Sequence, residues 1–379
     1  MNINQAYTFV NDAQKEVLGE SAIAMEDLTP IVDVGDAIES LNLYEQFYGA
    51  LVNRIGRMLF VTRPYKGKFA KLFIDSWEFG SIVGKVQAEL MDATENSSYE
   101  IVNGASYDPY VVNLPVVSAK FYNKGVTFEI DITTPVDQIK QSFKSADEML
   151  RFLSMLEVQV ENSLELKLEI LASRVVNHFT LAVIENAKTS QVINLLTEYN
   201  TIAGTSLTRD QALLDSDFLL YATSRMIEIK SHLSRMRTLY NAGDKARHTP
   251  SDRLNFEIID TFASRLKTHL RSATYHDELV VLDGYEEVDA WQGSGTTDTL
   301  TDRLSVNGKI TAVDGTEKTQ TASNVVAVMF DHEALGILQP QRKVTSAYNP
   351  KGEYYNSFHK AVSRYFNDYN ENYVVFTLN

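Results

Sequence analysis

The sequence predicts a mixed α+β chain in which strands and helices occupy separate stretches instead of alternating. Three observations carry that expectation. Between Met58 and Ile132, short β-branched or aromatic runs such as "MLFVT", "KLFIDSW", "YVVNLPVVSAKFYN" and "VTFEIDI" are bounded by Gly, Pro or Asn, which is how strands read. From Ser145 to about Asn186 an apolar stripe recurs at helical spacing. The end of the chain returns to strand-like runs, so strands and helices come in blocks. With 379 residues, 44% of them apolar and 10% aromatic, the chain buries a real core in one large or two to three ordinary domains.

Taken in order, residues 1–55 mix short apolar runs with acidic residues and read as an arm, with helical periodicity only in pieces such as Val32–Leu51. Residues 56–132 read as an extended, strand-rich region with long loops. Residues 133–204 contain the clearest element: Ser145 as N-cap and Glu148 three residues on form a capping box, which satisfies orphan amides at a helix start. Met149, Leu153, Leu156, Val160, Leu164 and Leu168 open its stripe, and no Pro or Gly interrupts before Gly204. Such a helix is about 60 Å long.

Residues 205–340 read as a mixed domain. One helix is expected from Asp217. A second is expected with Thr249 as N-cap and Pro250 at its first position, burying Leu254, Ile258, Phe262, Leu266 and Leu270. "ELVVLDGYEEV" then reads as strand, and Thr296–Ser323 as a polar loop with a hairpin around "KITAV". Residues 341–379 read as a strand, a turn at "NPKGE", an aromatic helix and a last strand "NYVVFTL". There is no internal repeat at solenoid spacing.

A formal net charge of −15 argues against a general nucleic-acid binder, which needs a basic face. The absence of cysteine excludes disulfides, thiolate metal sites and cysteine nucleophiles. No apolar run approaches the ~20 residues that span a bilayer. The start "MNINQAYTFVNDAQ" shows no signal-peptide pattern, so the expectation is a soluble intracellular product.

The stretch "VVAVMFDHEALGI" sets Asp331, His332 and Glu333 side by side after an apolar run, which invites a metal-dependent hydrolase as an alternative reading. Adjacent side chains diverge on either a strand or a helix. "HEALG" supplies only the first half of H-E-x-x-H, and no two of the seven histidines lie within four residues of each other. Asp331 is therefore expected to cap a short helix, with His332 and Glu333 facing water. Neither G-x-S-x-G, a P-loop nor G-x-G-x-x-G occurs, "GSG" at Gly293–Gly295 lies in a polar loop, and Gly243 in "YNAGDKAR" reads as a helix C-cap and turn. No catalytic residue, metal ligand or cofactor site is assigned.

Charge is patterned more tellingly. Glu157, Glu161, Glu165 and Glu169 fall one turn apart on the long helix, like charges that cost about 0.2–0.5 kcal/mol per neighbouring pair. Arg54, Arg57, Arg63, Lys66, Lys68 and Lys71 form a basic run with no acidic residue between Glu45 and Asp75. Opposite stripes on two elongated elements suggest a contact within or between subunits.

The order of these elements, with "RHTPSDRLNFEII", "SATYHDELVVLDGYEEVDAWQGSG", "NVVAVMFDHEALGI" and "YNPKGEYYNSFHKAVSRYFNDYNENYVVFTLN", resembles a tailed-phage major capsid protein of the Hong Kong 97 type over essentially the whole chain. The resemblance implies an N-terminal arm (1–55), an E-loop (56–132), a P-domain with a spine helix (133–204), an A-domain (205–340) and final P-domain elements (341–379). It implies a structural, non-enzymatic protein that assembles as pentamers and hexamers into an icosahedral shell around double-stranded DNA, touching that DNA weakly and non-specifically. Further implied are a separate scaffolding protein, since the chain begins almost directly with the arm, a portal protein and possible decoration proteins. No membrane is involved; assembly is expected in the bacterial host cytoplasm, with the product in the virion. An encapsulin-like compartment is the alternative within the same fold. Lysine–asparagine cross-linking does not carry over, because no partner motif is identifiable around Lys66 or Lys68.

Overall fold

A computed structural model describes residues 3–19, 22–23, 30–41, 43–51, 70–74, 83–91, 93, 95–122, 124–273, 282–292 and 303–379. The chain forms two compact units, each drawn from three stretches: 1–76, 124–172 and 337–364 in the first, and 77–123, 173–336 and 365–379 in the second.

The first unit begins with helices α1 (Ile3–Leu18), α2 (Ile31–Ser40) and α3 (residues 44–51). The stretch expected to be an arm is packed: Val10, Ala13, Ile31, Val34, Ile38, Phe47 and Tyr48 lie in one buried cluster with Ile139, Phe143 and Leu153. Gln14, fully buried, fastens the chain behind α1, its Nε2 donating to the Ile23 carbonyl at 2.5 Å and its Oε1 accepting from the Ile23 amide. Tyr48 Oη lies 2.9 Å from Thr134 Oγ1, giving a buried hydroxyl the partner it needs.

Strand β1 (Phe73–Ile74) lies at the edge of this unit's sheet, and hairpin strands β2 (Val83–Ala88) and β3 (Val117–Tyr122) follow in the second unit. Strand β4 (Gly125–Pro135) leads through helix α4 (Val136–Ser142) to helix α5 (Ala146–Asn186), of which residues 146–172 belong to the first unit and 173–186 to the second. The expected start of α5 is in place: the Glu148 amide donates to Ser145 Oγ at 3.3 Å.

The second unit continues with strand β5 (Val192–Asn194) and helices α6 (Leu195–Ala203), α7 (Arg209–Ala212) and α8 (Ser216–Leu233). Helix α6 ends at Gly204, whose φ of 65° is open to glycine at little cost. Then come β6 (Leu254–Ile259), α9 (Asp260–Ala273), β7 (Glu286–Val288), the hairpin β8 (Val306–Thr311) and β9 (Glu317–Ala322), and β10 (Val325–Asp331). Strand β11 (Leu335–Asn349) and β12 (Tyr354–Asn367) return to the first sheet, and β13 (Tyr373–Thr377) ends in the second.

The first sheet has the order β1-β11-β12-β4 and the second β5-β13-β10-β6-β7. Every residue of β6, β10 and β13 is buried, as expected of central strands covered on both faces. Phe179 of α5 stacks on Tyr373 of β13 at 4.3 Å, and Phe330 of β10 lies against the same ring at 5.3 Å.

Three local expectations are corrected. The aromatic helix expected near the C-terminus is the strand β12, paired antiparallel with β4 from Tyr354↔Pro135 to Arg364↔Gly125, with Tyr355, Ser357, His359, Ala361 and Ser363 alternately buried. The helix expected from Thr249 is the buried strand β6 followed by α9 at Asp260; Thr249 is no cap, and its hydroxyl donates to Asp331. Gly243 does not end a helix either, since α8 stops at Leu233; it lies in a turn where an added Cβ would clash with Asn370 Oδ1. The hairpin expected within Thr296–Ser323 is present as β8–β9.

Candidate functional site

Hairpin β2–β3 and the long excursion between its strands differ from the rest of the second unit in what they expose. The described residues of 89–116 form no strand, and Glu89 and Val116 close the hairpin's end through one backbone bond of 2.9 Å. Pro109 and Pro115 explain part of this, because each removes a ladder donor from a run that otherwise reads as strand. Tyr99, Ile101, Tyr110, Val112 and Leu114 stand in water, Ile101 at 98% exposure, and Phe121 on β3 joins them. Large apolar side chains exposed in such number within one stretch of chain suit a surface that is covered on association.

The root of the hairpin is built differently. Alternation places Lys85 and Gln87 on one face of β2, and the register sets Lys85 opposite Lys120 of β3. Two like charges directly opposite each other destabilise a strand pair. Here acids from the turn after β12 intervene: Asp368 Oδ1 lies 2.7 Å from Lys120 Nζ and its Oδ2 3.1 Å from Lys85 Nζ, while Glu371 Oε1 lies 2.8 Å from Lys85. Gln87 Nε2 also donates to Glu371 at 2.5 Å, Arg247 Nη2 donates to Gln87 Oε1 at 2.8 Å, and Lys245 pairs with Glu89. The Asp368 side chain is wholly buried and that of Glu371 nearly so.

Burial alone would hold Lys85 below its ordinary range, but its hydrogen bond to Glu371 and the charges of Glu371 and Asp368 outweigh that and raise it. Burial also opposes the charge on Asp368, yet Lys120 and Lys85 prevail and hold that carboxyl low. For Glu371 burial wins over Lys85 and Arg247, leaving its carboxyl high.

Within Asp331–His332–Glu333 the expected helix cap is corrected, while His332 and Glu333 stay partly open to water. Strand β10 runs to Asp331, a tight turn follows instead of a helix, and β11 starts at Leu335. Asp331 is buried; its Oδ2 accepts from Thr249 Oγ1 at 2.7 Å and its Oδ1 from the Glu333 amide at 2.8 Å. Glu333 faces Arg253 at 2.8 Å and Lys85 at 3.5 Å. Asp331 thus organises the turn, and Glu333 joins the ion pairs at the hairpin root. Among the described residues no group of His, Asp and Glu is placed to hold a metal ion, and no helix is long and apolar enough to cross a membrane.

Of the residues expected at subunit contacts, Arg54, Arg57, Arg63, Lys66 and Lys68 lie outside the described residues, as do the side chains of Glu157 and Glu161. Lys71 is in a short 3-10 turn before β1. Glu165 is exposed on α5 and Glu169 half-buried. The sequence reading missed Lys85, Lys120, Asp368 and Glu371. The available signal was Lys85 and Gln87 alternating with apolar residues in "VGKVQA", and the acids of "NDYNEN" just before the last strand.

Against known proteins, residues 10–377 match the model of a family described as Phi29-like phage major capsid protein. Among solved structures, the capsid of Staphylococcus phage Andhra is similar at 11% identity, with 82% of this chain and 84% of that chain covered and a TM-score of 0.53. The capsid of Cyanophage P-SCSP1u is similar at 12% identity, with 80% and 84% covered and a TM-score of 0.44. No curated protein matches.

Proposed function

This chain belongs to the Phi29-like phage major capsid protein family, and from that premise we propose how its subunits make a shell. The chain is a structural protein of the phage capsid and has the α+β Hong Kong 97-like fold. Copies associate as pentamers and hexamers into a closed icosahedral shell around double-stranded DNA, with the apolar excursion between β2 and β3 seated on a neighbouring copy. The observation that carries this reading is the exposure of Ile101, Val112 and Leu114, large apolar side chains left mostly in water.

The sequence division serves as the working anatomy: arm 1–55, extended loop 56–132, spine region 133–204, A-domain 205–340 and closing elements 341–379. The net charge of −15 supports only weak, non-specific contact with packaged DNA, because an acidic lining repels phosphate. Assembly in the host cytoplasm with a separate scaffolding protein, a portal and optional decoration proteins completes the reading. No reaction is assigned, since the carboxylates of Asp331 and Glu333 are committed to structural partners.

Electron microscopy of the purified protein at high concentration tests the proposal. Closed shells or capsomers are expected, and a small discrete oligomer would overturn it. Val112→Asp with Leu114→Asp should prevent shell formation while leaving the far-ultraviolet circular dichroism and thermal midpoint of the subunit unchanged. Normal shells from that variant would remove the excursion from the interface.

A further inference from the structure

The hairpin β2–β3 carries a defect that its own strands cannot repair. Lys85 and Lys120 are register partners, so in an isolated hairpin two ammonium groups face each other. Asp368 touches both, one oxygen to each, and Glu371 pairs with Lys85 as well. Asp368 is itself fixed: its amide donates to the Ala334 carbonyl at 2.6 Å, and its Oδ1 accepts from the Asn370 amide at 3.1 Å. The dependence runs in both directions. Without the hairpin, Asp368 would lose the two cations beside it; without Asp368, the two lysines repel.

Beside this cluster lies a cavity of about 520 Å³, bordered by Gln87 and Ala88 of the hairpin and by Arg247, Arg253, Glu333 and Glu371 of the body. The contact between hairpin and body is therefore a row of charged and polar bonds next to an open space, flanked by a ring contact of Tyr122 on β3 with Phe366, centroids 5.5 Å apart. Parting such a contact opens its charged groups to water from the space beside it, which offsets part of the lost pairing.

We propose that Asp368 and Glu371 form a two-carboxylate socket for the Lys85–Lys120 pair, a clasp with docked and undocked states that sets the direction in which the subunit holds its apolar excursion. The clasp closes within one subunit, before any neighbour is met. Its use in shell assembly rests on the function proposed above; its existence does not.

Hydrogen exchange on the isolated full-length subunit reads the clasp directly. Asp368→Asn keeps the size and the turn but removes the charge, and should speed exchange of amides in 83–88 and 117–122 by at least about tenfold relative to β6 and β10. Adding Lys85→Gln to that variant removes the repulsion and should recover most of the protection, which a purely structural role for Asp368 would not allow. Lys120→Glu, on a partly exposed side chain, sets a carboxylate against Asp368 and should loosen the same amides whether or not Asp368→Asn folds. Unchanged exchange in Lys120→Glu, or no recovery on adding Lys85→Gln to a folded Asp368→Asn chain, would overturn the clasp. Electron microscopy of the same variants reads assembly separately: a loosened hairpin with normal shells would retain the clasp and remove its role in assembly.

Discussion

Thr249 Oγ1 donates to Asp331 Oδ2 at 2.7 Å in a buried position, and Asn372 Nδ2 donates back to the same hydroxyl at 3.1 Å. One threonine thus joins the loop before β6, the end of β10 and the start of β13. Thr249→Val keeps the shape but leaves a carboxylate oxygen and an amide donor without that partner. It should cost about 1–3 kcal/mol in urea unfolding. Thr249→Ser, which keeps the hydroxyl, should cost less than half as much. Equal losses in the two variants would show that the methyl group, not the bond, matters.

His359 gives the first unit an acid limit. Burial in β12, with Arg342 adding to it, pushes its imidazole down to about 4 from an ordinary 6.5. Between those values the unfolded chain takes up a proton that the folded chain refuses, so stability is full above pH 6.5 and falls as pH drops towards 4. The loss is about 3 kcal/mol, taken from roughly 1.4 kcal/mol per pH unit. Denaturant titrations of the wild type and His359→Gln at pH 7 and pH 4 should diverge by that amount; parallel curves would rule His359 out as the sensor.

Gly35 reverses the usual effect of a helical glycine. In an exposed helix, Gly→Ala stabilises by about 1 kcal/mol. In α2, however, an added Cβ would meet Phe143 Cβ at 2.7 Å, and Phe143 is itself buried beside Phe47. Gly35→Ala is therefore expected to destabilise by about 1–3 kcal/mol. A raised thermal midpoint would mean that Phe143 moves aside freely.

These residues also show where sequence was sufficient and where it was not. Helix α5 was legible because the 3.6-residue period and the Ser145 cap are local. Strand β12 was misread because Tyr355, Phe358, Val362 and Tyr365 fall at steps of three and four, while its buried face carries Ser357, His359 and Ser363. Only pairing with β4, more than two hundred residues earlier, decides for strand. The same spacing joined Leu254 and Ile258 of β6 to Phe262 and Leu266 of α9. The lysine socket was out of reach for a similar reason: Lys120 and Asp368 are 248 residues apart and Lys85 and Glu371 286 apart, and nothing near either acid announces its partner.

The opposed charge stripes lead to the last prediction. Glu165 is exposed on α5, whose neighbouring stripe of Val160, Leu164 and Leu168 is buried, so the acidic face at that level is turned to water. The basic run Arg54–Lys71 leads into the extended region. We expect that run, through Lys66 and Lys68, to meet the acidic row Glu157, Glu161, Glu165 and Glu169 of an adjacent subunit. Each exposed pair contributes only about 0.2–1 kcal/mol, but a closed shell repeats the contact at every subunit. Reversing Glu161 and Glu165 to Lys should raise the protein concentration at which shells form while leaving subunit unfolding nearly unchanged. Reversing Lys66 and Lys68 to Glu in the same chain should restore part of the loss, and added salt should narrow the difference. If the double reversal assembles no better than the helix variant alone, the two stripes do not face each other and each is a solvated surface.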